Sequence, residues 1–166
     1  MSANGRLRDD ELSAIPSGRL ARADGCADSW NAMCAESSRL GVELRPTGSK
    51  SSYRTFAQQQ ELYALYRRGG PLAAVPGTSA HGDERAVDLA NSTMWQMVAR
   101  IGARYGWQKQ WSDAPTEPWH HRHRAGVWKG PATPPKPTPA ASQAAGDRAS
   151  GMRFFESNMA PKGFHS

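Results

Sequence analysis

Two groups of side chains in this sequence can do chemistry together. His81 closes a stretch rich in Gly, Pro, Ser and Thr, and Asp88 follows inside the apolar run Ala86-Val87-Asp88-Leu89-Ala90. A carboxylate in such a run needs a metal ion or a cation to offset its burial. The second group is Glu117-Pro118-Trp119-His120-His121-Arg122-His123. Imidazoles and a carboxylate suit zinc, whose catalytic sites take three protein ligands and leave one position for water. His81 and Asp88 would offer two, and a histidine of the later run the third. Glu117 could take a proton from bound water and hand it to a leaving amine. Arg54 brings a fork that can hold a substrate carboxylate or steady an oxyanion. Each feature alone also has a plainer reading. Asp88 could pair with an arginine, His81 could be an ordinary loop histidine, the histidine run a solvated edge strand, and Arg54 a surface arginine.

These side chains need elements to position them. Helical spacing of Ala27, Trp30, Met33, Cys34 and Ser37 predicts an amphipathic helix over about Asp24 to Leu40, stopped by Gly41. Val42 to Arg45 and Ser51 to Thr55 read as short strands. A helix is expected from Phe56 to Arg67, with Leu62, Leu65 and Tyr66 as its buried stripe beside Phe56 or Tyr63. Ala86 to Ala90 reads as a buried strand. Thr93 is placed as the N-cap of a helix running to Tyr105, with Met94, Met97, Val98 and Ile101 on one face. Residues 117–128 read as a last strand. In a regular strand residues 117, 119, 121 and 123 share a face, so Glu117 and His120 would point apart. Either the chain bulges there, or His121 is the ligand.

Composition narrows the class. The chain has 166 residues, 38% of them hydrophobic, and a net charge of +6. Mean hydropathy is −0.70. That supports one domain with a modest core and no transmembrane helix. A basic surface favours anionic partners, but apart from residues 120–124 the basic residues are scattered, which argues against nucleic acid as the partner. The first twenty residues hold no apolar core of the kind a Sec signal needs. Cys26 and Cys34, eight residues apart in a helix, would sit about 12 Å apart, too far for a disulfide.

The boundaries expected from composition are an extended arm over 1–20, a compact domain over 21–129, a Pro/Ala-rich linker over 130–150 and a tail over 151–166. The tail carries Met152, Phe154, Phe155, Met159 and Phe164, too few apolar residues to build a core.

Taken together, Ser79-x-His81-x6-Asp88 and Glu117-x-Trp119-His120 resemble the D-alanyl-D-alanine carboxypeptidase (VanY-type) family of zinc peptidases. Ser52-Tyr53-Arg54-Thr55, Pro76-Gly77-Thr78-Ser79 and Arg104-Tyr105-Gly106-Trp107 extend the resemblance over roughly residues 5 to 128. It looks closest to peptidase domains of endolysins from phages of actinobacteria. The resemblance implies an α+β fold, a small antiparallel sheet flanked by helices, shared with the hedgehog signalling domain. It implies one zinc per chain on His81, Asp88 and His120, favouring His120 over His121. Glu117 would be the general base and Arg54 would meet the substrate carboxylate or transition state. Tyr53, Gln59, Ser79 and Trp119 would line the substrate cleft. The implied substrate is a peptide of bacterial peptidoglycan, cut at an L-Ala–D-Glu or D-Ala-containing bond by a monomer made in the host cytoplasm and released to the wall. One departure stands out: the family usually has glycine where this chain has Glu84. If that position needs a positive φ, Glu84 costs strain. The alternative is a catalytically weak, zinc-stabilised module that only binds cell wall.

Overall fold

The computed structural model describes residues 2–130 other than 110, 111 and 113. The linker expected beyond Gly130 and the tail over 151–166 lie outside the described residues. The elements, in order, are β1 (Leu12–Ile15), β2 (Gly18–Ala21), α1 (Cys26–Arg39), α2 (Phe56–Tyr66), β3 (Ala86–Asp88), α3 (Ser92–Ile101), β4 (Trp107–Lys109) and β5 (His120–His123). β1 and β2 form an antiparallel hairpin, and the other strands form an antiparallel sheet in the order β3-β5-β4. This is the α+β arrangement of small antiparallel sheets with flanking helices that the resemblance implied.

The core gathers one face of α1, the apolar stripe of α3, the hairpin and the centre of the sheet. Ala27, Trp30 and Met33 of α1 share one buried cluster with Met94, Met97, Val98 and Ile101 of α3 and with Leu20, Val87 and Trp107. The Trp30 and Trp107 rings meet edge to face at 4.9 Å between centroids. Trp107 donates its indole N–H to the buried Ser29 hydroxyl at 3.0 Å. Cys26 and Cys34 are free thiols. Burial pushes both up to about 12, so neither ionises at neutral pH.

Several local expectations are corrected. The stretch read as an extended arm contains the hairpin, which buries Leu12, Ile15, Leu20 and Ala21. Residues 42–45 form no ladder. Pro46, which has no N–H to donate, makes only an isolated bridge to Leu89. Residues 51–55 are not a strand either, since their backbone groups go to three separate partners. Ser51 O accepts from Asp88 N at 2.8 Å, Tyr53 N donates to Arg19 O at 2.9 Å, and Arg54 N donates to His81 O at 3.1 Å.

α2 begins where expected, with a capping box between Thr55 and Gln58. Its expected apolar stripe is not buried: Leu65 is 48% and Tyr66 39% exposed. The helix instead buries Gln59, which hydrogen-bonds on both sides. α3 is capped by Asn91 rather than Thr93, the Asn91 side chain accepting from Met94 N at 3.1 Å. Only residues 120–123 of the expected last strand pair as β5, with turns before them.

Candidate metal centre

The sheet register places two of the expected ligands. Asp88 ends β3 and stands directly across the antiparallel ladder from His120 at the start of β5. Opposed residues in such a ladder share a face, so the two side chains meet. His121 pairs with Val87 and Lys109 and belongs to the other face. The strand parity that set Glu117 against His120 does not apply. Residues 117–120 form a turn in which His120 N donates to Glu117 O at 3.1 Å, so β5 starts only at His120.

His81 comes from a different kind of structure, a run of turns over residues 79–84. Gly82 N donates to Ser79 O at 3.0 Å and Glu84 N to His81 O at 3.3 Å. Its Nδ1 lies 2.9 Å from Ser52 O. A carbonyl can only accept, so Nδ1 donates to it and the ring presents Nε2 to Asp88. That Nε2 lies 3.1 Å from Asp88 Oδ2, while His120 Nδ1 lies 2.9 Å from Asp88 Oδ1. One ligand atom from each of His81, Asp88 and His120 falls within 4.8 Å of the others. The other His120 nitrogen, Nε2, is buried without a partner. The two nitrogens and one carboxylate that converge here fit a zinc ion, and a backbone carbonyl behind a ligating imidazole is the outer support such sites use.

The electrostatics agree with a cation-seeking site. Burial alone would raise the Asp88 carboxyl, but hydrogen bonds and positive charge from His120 and His81 hold it well below the usual carboxylate range. Arg54 stands beside them, with its guanidinium 3.9 Å from Asp88 Oδ2. Burial lowers the Arg54 pKa, and the Asp88 and Glu117 carboxylates oppose that shift. Arg54 is held rigidly, donating Nε–H to Lys50 O at 2.9 Å and an amine N–H to Gln59 Oε1 at 2.8 Å.

The residues expected to line the cleft divide. Trp119 is 39% exposed, with its ring tilted against Trp95. Gln59, Ser79 and Tyr53 are buried and their polar groups serve the scaffold. Gln59 accepts from Arg54 and donates Nε2–H to Ala74 O at 2.6 Å. Ser79 Oγ accepts from His81 N at 3.2 Å, and the Tyr53 hydroxyl accepts from Leu7 N at 3.0 Å. Their positions beside Arg54 and His81 in sequence suggested substrate contact, yet short polar groups next to a site residue also satisfy its backbone. Sequence reasoning missed the supporting role of Ser52, because the group that orients His81 is a backbone carbonyl and no side-chain type signals it. Glu84 has φ +54°, the left-handed region that favours glycine. Burial and the neighbouring Asp83 charge push its carboxyl up to about 7.

No family model and no curated protein matches the sequence. Solved structures do match in fold. A VanY vancomycin-resistance D,D-pentapeptidase in complex with Zn(II) matches with a TM-score of 0.53 at 22% identity, over 68% of this chain and 78% of that one. VanYB in complex with D-alanine-D-alanine matches with a TM-score of 0.55 at 22% identity, over 70% and 78%. The LD-carboxypeptidase LdcB, solved for its peptidoglycan recognition, matches with a TM-score of 0.54 at 21% identity, over 75% and 72%. The fold is therefore that of the VanY-like D,D-peptidases. More particularly, this chain places on that fold a His-Asp-His group able to hold a metal.

Proposed function

We propose that the chain is a zinc-dependent peptidase that hydrolyses stem peptides of bacterial peptidoglycan, with His81, Asp88 and His120 holding one zinc ion. The observation that carries this reading is the convergence of those three side chains, backed by Ser52 O and flanked by Arg54, on a VanY-like fold. Zinc bound there would activate a water and polarise the scissile carbonyl. Glu117 takes the proton of the attacking water and delivers it to the leaving amine. Arg54, pre-aligned by Lys50 O and Gln59, pairs with the substrate carboxylate or the developing oxyanion. The exposed Trp119 ring walls the cleft. The bond cut is L-Ala–D-Glu or one containing D-Ala, and the biological setting is a phage endolysin that acts as a monomer. No described helix is long and apolar enough to cross a membrane.

The test combines metal content with wall lysis. Purified protein is expected to carry one zinc per chain and to clear a cell-wall suspension in a chelator-sensitive way. Glu117→Ala should keep the zinc and lose about 10²-fold or more of the activity, the share that a general acid–base supplies. A fully active Glu117→Ala variant sinks the mechanism. A second reading, a zinc-stabilised wall-binding module of little activity, is favoured by one observation: strained Glu84 closes the turn that presents His81. Wall binding without lysis at any pH would select it.

A further inference from the structure

We infer that Asn4 is a positioning residue of the metal centre, bracing the turn that presents His81. This rests on the reading of the centre as a zinc site. His81 is the one expected ligand carried by neither a strand nor a helix, and its turn follows a loop of Gly, Pro, Ser and Thr. A ligand on such a segment needs an outside brace, because metal geometry tolerates displacements of only about 0.5 Å. The Asn4 amide nitrogen supplies one. Nδ2 donates to Ser79 O at 2.8 Å, two residues before His81, and to Asp83 Oδ1 at 2.6 Å, two residues after it. A carboxamide has two such protons, and each acceptor takes one.

The surrounding chain fits around this contact. Gly5 N donates to Gly82 O at 2.9 Å, and Phe56 N donates to Gly5 O at 2.7 Å. Gly5 therefore links the His81 turn to the first residue of α2, two positions after Arg54. Gly5 has φ +73°, and a Cβ there would lie 2.6 Å from Phe56 N. A Cβ on Gly82 would lie 2.0 Å from Asn4 Oδ1. Leu7 N on the Tyr53 hydroxyl and the Arg6 guanidinium over the Phe56 ring fix the same segment further along. Residues 4–7 thus clip together the two parts of the site that no sheet ladder joins, the His81 turn and the start of α2 beside Arg54.

The experiment measures zinc affinity of the full chain by chelator competition for the wild type, Asn4→Ala and Asn4→Asp. The aspartate keeps the shape and removes both donors. Both variants are expected to bind zinc at least tenfold more weakly, the scale seen when outer-shell partners of a ligand are lost. Amide exchange at Gly82 should quicken in the metal-free variants, while the unfolding midpoint of the metal-free protein moves little. Zinc affinity within twofold of wild type in both folded variants overturns the inference and leaves the zinc reading standing. So does a lowered midpoint with unchanged affinity, which would make Asn4 a contributor to stability alone. A wild-type chain that binds no zinc refutes the underlying reading instead.

Discussion

Replacing Glu84 with glycine should stabilise the protein, and by an amount that grows with pH. Two terms act. The residue sits at φ +54°, where a side chain costs about 1–2 kcal/mol. Glycine removes that strain but loses about 0.5–1 kcal/mol through the greater freedom of the unfolded chain. The net from strain is about 0.5 kcal/mol at any pH. The second term is the half-buried carboxyl, raised from 4.5 to about 7 by burial first and by Asp83 second. At full weight that shift is worth about 3 kcal/mol. Solvent screening of a side chain this exposed leaves about 1 kcal/mol.

The sign follows from linkage. A carboxyl whose folded pKa is raised binds its proton more tightly in the folded state, so the wild type loses stability as pH rises from 4.5 towards 7. Below that window the carboxyl is protonated in both states and only strain separates the two proteins. Above it the full penalty is present. Glu84→Gly should therefore gain about 0.5 kcal/mol near pH 4 and about 1.5 kcal/mol near pH 8, or roughly 2 °C and 5 °C in Tm. Thermal unfolding in the presence of a chelator measures this without metal linkage. A gain that does not change with pH would refute the desolvated carboxyl. A loss of stability would refute the strain argument as well.

Two further outcomes follow from the register and the core. His120→Ala should abolish zinc binding and His121→Ala should keep it, because only His120 shares the face of Asp88; zinc content of the two purified variants decides. Trp107→Ala should cost about 3–5 kcal/mol in denaturant unfolding, since it opens a cavity beside Trp30 and removes the buried indole hydrogen bond to Ser29.

The sequence by itself determined the parts governed by local rules. The period of Ala27, Trp30 and Met33 marked α1, and that of Met94, Met97, Val98 and Ile101 marked α3. Thr55 and Gln58 marked the start of α2. The pairing of an acid in an apolar run with separate histidines marked the candidate ligands, because few other arrangements tolerate that acid. What it could not determine depended on residues far apart in the chain. α2 looked amphipathic, but among the described residues none covers Leu65 and Tyr66, which stay exposed. Residues 51–55 looked like a strand, but their hydrogen bonds run to Arg19, His81 and Asp88. That His120 rather than His121 faces Asp88 turned on a register, since shifting a strand by one residue exchanges its faces. Asn4 and the Ser52 carbonyl carried no signal at all. Their contacts with the His81 turn span 75 and 29 residues of sequence. The ligand types of the candidate centre were thus legible in the chain, while their convergence was set by one antiparallel ladder and the turn braced against it.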